Sequence, residues 1–160
     1  MNKKIFGVVT TLCMCLSVVA GAANVSLRDA VRIARTQVPK GCHLQNVENY
    51  NGVIGVSFRN YNTLRNYTVF LEDEGGTPCE RVMTGSNIVG STNVLVDRTA
   101  ITKAVFDRYK KVDNLKVELE SEGKNNLRYR VEFLNERYII TALFNPATGA
   151  LVKEHIIYRW

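Results

Sequence analysis

The chain has 160 residues, with 21 Lys+Arg against 15 Asp+Glu, a net charge of +6, four cysteines and two histidines. That length suits one domain or two very small ones. The positive charges (Arg28, Arg32, Arg35, Arg59, Arg65, Arg108, Lys110, Lys111, Arg128, Arg130, Arg137) are scattered. They read as solvated faces rather than the clustered surface that nucleic acid needs. The few His and Cys show no metal-ligand spacing.

Met1-Asn2-Lys3-Lys4 forms a positive start, and an uncharged run from Ile5 to Val19 follows. Ala20-Gly21-Ala22-Ala23 then fits the small-residue pattern of a signal cleavage site. The reading is a signal peptide over residues 1–23, cut after Ala22 or Ala23. A permanent anchor is the competing reading, but the run is short for a membrane-spanning helix. Lipidation at Cys13 or Cys15 is a third, and bulky Leu12 and Met14 stand where small residues belong. The expected destination is the periplasm or the exterior, with no membrane contact after cleavage. Loss of Lys3 and Lys4 takes the basic count from 21 to 19 against 15 acids, a net +4. Only Cys42 and Cys79 then remain. An even pair in an oxidising compartment predicts one disulfide, with two independent thiols as the alternative. The bond would close a loop of about 37 residues, for about 3–4 kcal/mol on the chain-entropy view.

An internal repeat follows. Ser26-Leu27-Arg28-Asp29 resembles a capping box. Leu27, Ala30, Val31, Ala34 and Val38 recur at helical spacing until Pro39 and Gly41 stop the helix. His43 to Tyr50 reads as a strand, and Asn51-Gly52 as a hairpin turn. Val53 to Asn60 alternates, with Ile54, Val56 and Phe58 on one side. A polar loop, Tyr61 to Asn66, leads to the strand Tyr67–Leu71. The acidic turn Glu72-Asp73-Glu74-Gly75-Gly76 precedes a fourth strand at Thr77–Met83.

Thr84 to Asn93, rich in Gly, Ser, Thr and Asn, reads as a linker. Asp97 is a good N-cap, and Ala100, Ile101, Ala104, Val105, Tyr109 and Val112 give a second helical stripe. Strands follow at Leu115–Glu120, Leu127–Phe133, Tyr138–Phe144 and Ala150–Trp160, the last after the turn Asn145-Pro146-Ala147-Thr148-Gly149. The predicted class is α+β: two helix-on-antiparallel-sheet repeats (α-β-β-β-β, twice) after a signal peptide. Repeat 1 covers 24–83, the linker 84–95 and repeat 2 96–160. Each helix is expected over its own small sheet, since an apolar sheet face must be covered, and units this small are expected to pack together or extend one sheet.

The Ala30-Val31-Arg32-Ile33-Ala34 helix, a hairpin, an alternating strand and above all Phe144-Asn145-Pro146-Ala147-Thr148-Gly149-Ala150-Leu151-Val152 resemble a PepSY domain. The first copy departs from it, keeping only the acid-rich turn Leu71-Glu72-Asp73-Glu74-Gly75-Gly76-Thr77. The resemblance implies export, a helix on a short antiparallel sheet, and inhibition of a peptidase. It is similar to propeptide segments that hold thermolysin-like metallopeptidases inactive. The tandem also resembles the architecture of β-lactamase-inhibitory proteins, which implies an enzyme as partner.

Catalysis needs a nucleophile with a base, a tuned carboxylate pair or a metal. His43 follows Cys42, and neighbours on a strand point to opposite faces, so they make a poor dyad. His155 reads as an ordinary exposed side chain. Glu72-Asp73-Glu74-Gly75 lacks the spacing of a calcium loop and reads as a solvated turn. No catalytic, metal or cofactor site is therefore expected. Tyr61, Arg65, Tyr158 and Trp160 are the candidate interface residues, because aromatics and Arg concentrate at binding hot spots. The expected function is an exported, non-catalytic binding module acting on an envelope or secreted peptidase. The alternative is a structural or ligand-sensing envelope protein that scaffolds a complex. The aromatic C-terminal ending also resembles an outer-membrane barrel strand, but two amphipathic helices argue against a barrel.

Overall fold

The computed structural model describes residues 24–85, 90–123 and 126–159. The signal-peptide reading falls on residues outside these. Helix α1 (Leu27–Arg35) starts where the Ser26 hydroxyl accepts from the Asp29 N–H at 3.1 Å. Four strands follow: β1 (Cys42–Tyr50), β2 (Val53–Asn60), β3 (Arg65–Glu72) and β4 (Pro78–Thr84). Helix α2 (Arg98–Arg108) starts at Asp97, whose carboxylate accepts from the Ala100 N–H at 2.7 Å. It ends as Tyr109 turns extended (φ −117°, ψ 123°), so Tyr109 and Val112 lie past the helix they were expected to belong to. Then come β5 (Asp113–Ser121), β6 (Leu127–Asn135), β7 (Tyr138–Phe144) and β8 (Leu151–Tyr158).

All eight strands belong to one antiparallel sheet, in the order β1-β2-β3-β4-β8-β7-β6-β5. This overturns the expectation of two helix-on-sheet repeats. The described residues are mostly β, and the two helices among them, of 9 and 11 residues, sit on a shared sheet. The join is β4 against β8, with Val82 opposite His155 and Met83 opposite Glu154. Two separate sheets would leave β4 and β8 as bare edges with unpaired backbone groups. Pairing them satisfies those groups and merges two small cores. The free edges are β1 and β5.

One face of the sheet is covered. Helix α1 lies over β2 and β3, and α2 over β5. Ala30 and Ala34 are fully buried, and their small side chains let α1 approach Val56, Phe58, Val69 and Leu71 closely. Leu27, placed in that stripe by its spacing, is exposed instead. Ile101 and Val105 do the same work for α2, beside Val117, Val131, Phe133 and Ile140. Each such side chain contributes about 1.5–3 kcal/mol by leaving water. The turn after β3 tucks against α1. Gly76 (φ 69°) lies where a β-carbon would meet Ile33 and Val25 side-chain carbons at 2.9 Å. Only glycine fits both that backbone and that gap.

Candidate functional site

Two features of the sheet have chemistry worth following. The first is on the covered face, in the gap between the helices above β4 and β8. Glu154 of β8 is buried there, its side chain 2% exposed. Arg81 Nη2 of β4 donates to its Oε2 at 2.7 Å. Arg108, from the end of α2, donates to Oε1 from Nε and Nη2 at 3.3 and 3.2 Å. The Tyr109 hydroxyl donates to the same oxygen. Arg81 also donates to the Gln37 carbonyl just past α1 at 2.8 Å, and the Tyr158 hydroxyl to Gln37 Oε1 at 2.9 Å. Burial pushes the Glu154 carboxyl pKa up. The Tyr109 hydroxyl and the two guanidiniums outweigh that and hold it below the usual carboxylate value. Burial and the Glu154 charge push the Tyr109 hydroxyl well above its ordinary pKa. The carboxylate is thus spent on tying the ends of both helices to the two strands that join the halves.

The second feature is the opposite face, which no helix covers among the described residues. Alternation sends Phe70, Val82, Ile139 and Ile157 to that side, all half-buried. Ser57 and Thr68 face each other across β2 and β3, with hydroxyls 3.1 Å apart. At the centre His155 Nε2 lies 2.7 Å from Glu80 Oε1. His155 was expected to be an ordinary exposed side chain. It is only 27% exposed and rests on the buried Glu80 carboxylate. Arg128 and Arg130 of β6 and Lys116 of β5 pair with Glu118, Glu120, Glu122 and Glu132 around them. The face is therefore broad, mixed in polarity and half apolar, suited to contact with another macromolecule.

The predicted site residues separate. Tyr61 is exposed in the turn after β2, with the Arg59 guanidinium 5.7 Å from its ring centre and the His43 ring 5.4 Å away. Arg65 opens β3 opposite Asn60, so it stands next to the same turn. Tyr158, expected at an interface, is placed in the core of this chain. It is buried, edge-on to Tyr138 at 5.2 Å, with its hydroxyl used by Gln37. Trp160 lies outside the described residues. Cys42 and Cys79 are both buried and are not bonded to each other, against the expected disulfide. They sit on β1 and β4, with two strands between them. Three strand spacings are about 14 Å, against the roughly 4.4–6.8 Å between α-carbons that a disulfide needs. Among the described residues no three His, Cys, Asp or Glu side chains gather as metal ligands.

No model of a known family matches the chain, and no curated protein matches it. Among solved structures, a BLIP-like protein from Bacteroides fragilis overlaps 85% of this chain and 90% of its own, at 14% identity and a TM-score of 0.33. An overlap of that size assigns neither family nor function.

Proposed function

We propose that the chain is an exported, non-catalytic protein-binding module that docks through the helix-free face of its sheet and restrains a secreted or envelope peptidase. The observation that carries this is the face itself. Eight strands side by side span about 34 Å, and strands of this length about 25 Å. The product is roughly 800 Å², the area one partner contributes to a standard stable interface. Phe70, Val82, Ile139 and Ile157 supply its apolar centre, and the paired charges of β5 and β6 supply a polar rim. The PepSY resemblance of Phe144–Val152 supports a peptidase as partner, and the signal-like start supports the periplasm or the exterior.

The test is direct. Chain 24–160 is mixed with thermolysin-type metallopeptidases, cell-wall lytic enzymes and a β-lactamase, and binding and residual activity are measured. Saturable binding to a peptidase, lost on Val82→Glu or Ile157→Lys, supports the reading. Binding that survives both substitutions, or no binding across the set, refutes it.

A further inference from the structure

The two halves of the molecule close one turn differently, and the difference points to where a partner is gripped. In the second half β6 and β7 are joined by Glu136 and Arg137, with Asn135 pairing directly with Tyr138. In the first half the equivalent join runs from Asn60 to its partner Arg65 and spends four residues, Tyr61 to Leu64. The longer turn is not slack. The buried Asn60 side-chain oxygen accepts from the Asn62 and Thr63 N–H groups, each at 3.0 Å. It also holds Leu64 at φ 54°, a left-handed conformation that is costly for any residue with a β-carbon. Folding alone favours glycine or asparagine there, and polar residues at the tip.

The turn instead shows two large apolar side chains to water, Tyr61 at 55% exposure and Leu64 at 47%. Leu44 of the neighbouring β1 is also exposed, at 42%. The Tyr61 ring is held in place by Arg59 and His43, and Gln45 Nε2 donates to its hydroxyl at 3.3 Å. A pre-ordered aromatic loses little freedom on binding. Strain kept in a rigid, exposed, apolar turn is a mark of function rather than of stability.

The charge around it is one-sided. Residues 40–47 and 57–68 carry Lys40, Arg59 and Arg65 and not one acid. Along the same row of the sheet, beyond Asn66 and Thr84, stands Lys153. On β5 and β6, by contrast, acids sit beside the cations.

We propose that this corner of the sheet, with Arg59 on the helix-free side and Arg65 on the covered side, is the anchor by which the chain grips a protein partner, and that the partner offers an apolar pocket rimmed by Asp and Glu. Tyr61 and Leu64 fill the pocket, and Arg59 and Arg65 meet the carboxylates. This rests on the protein-binding reading above and names the contact and the chemistry of what it contacts.

A photo-crosslinking amino acid, benzoylphenylalanine, tests it in cells that make the full chain. It is placed at Tyr61, at Val82 in the middle of the helix-free face, or at Phe106 on the outer side of α2. The expected result is a covalent adduct from position 61 whose partner peptide, read by mass spectrometry, carries Asp or Glu beside apolar residues. Arg59→Glu with Arg65→Glu should lower its yield by about tenfold or more, and Arg28→Glu with Arg32→Glu should not. Leu64→Gly should lower the yield while the melting temperature holds or rises, which a merely structural turn residue would not do. Adducts from position 82 alone, or equal yields from both arginine pairs, overturn the corner and leave the binding module standing. Adducts from none of the three positions overturn both.

Discussion

Replacing Glu154 by alanine is the sharpest test of how the two halves are held together. The carboxylate is buried and accepts from Arg81, Arg108 and Tyr109. Its loss strands those donors. Removing one partner of a buried ion pair costs about 3–5 kcal/mol. Here the arginine side chains keep 21% and 40% exposure, so water recovers part of that. The expected cost is therefore at the lower end, about 3 kcal/mol. In a chain this size that lowers the melting temperature by roughly 10 °C. Arg108→Ala should cost about 1 kcal/mol, because it removes the more exposed partner and leaves Arg81 on the carboxylate. Urea unfolding of chain 24–160, followed by circular dichroism, measures the two free energies, and a thermal melt measures the temperature shift. A double change, Arg81→Met with Glu154→Leu, should recover much of the loss, since replacing both charges leaves nothing stranded. If Glu154→Ala costs no more than Arg108→Ala, or if the double change is worse than the single one, the buried carboxylate does not bind the halves together.

Four further outcomes follow from the same structure. The folded-state pKa of Glu154 lies below its ordinary 4.5, so its stabilising contribution is complete above about pH 4.5 and is lost as pH falls through the lowered value. An acid titration of stability should show that slope in the native chain and a shallower one in Glu154→Gln. Thiol counting on chain 24–160 in denaturant without reductant should find two reactive groups, Cys42 and Cys79, and few or none in the folded protein; a pair released only by reductant would restore the disulfide. Gly76→Ala should cost about 2–4 kcal/mol, because it adds a crowded methyl to left-handed strain, whereas Gly75→Ala, open around its α-carbon, should cost about 1–2 kcal/mol in the same urea assay. Asp97→Ala should remove about 1 kcal/mol by uncapping α2, and a loss below about 0.3 kcal/mol would contradict the cap.

The candidate site was half legible. Tyr61 stood out because an aromatic in a polar loop has no core to enter, and the structure leaves it outside. Tyr158 looked similar as part of an aromatic chain end, yet its alternation places it on the covered face against Tyr138. The contact of Glu80 with His155 gave no signal, because the two residues lie far apart in the chain and meet only across the β4–β8 join. The strain at Leu64 was invisible for another reason. A leucine in a loop does not announce its φ, as an Asn-Gly turn does at Asn51 and Gly52, where φ is 47° and 97°.

What the chain wrote locally, it wrote well. Ser26 and Asp97 cap helices because a side-chain oxygen can reach a backbone N–H three residues on, and nothing distant is needed. Alternation placed Ile54, Val56 and Phe58 on the covered face because a strand's side chains change sides at every residue. Only the tertiary structure decided that β4 and β8 lie side by side, that Cys42 and Cys79 are held two strands apart from bonding, and that Glu154 is sealed between two helices. Periodicity tells a strand which way to face and says nothing of which strand it lies beside. That choice is made by backbone groups at a bare edge finding one another across the whole chain.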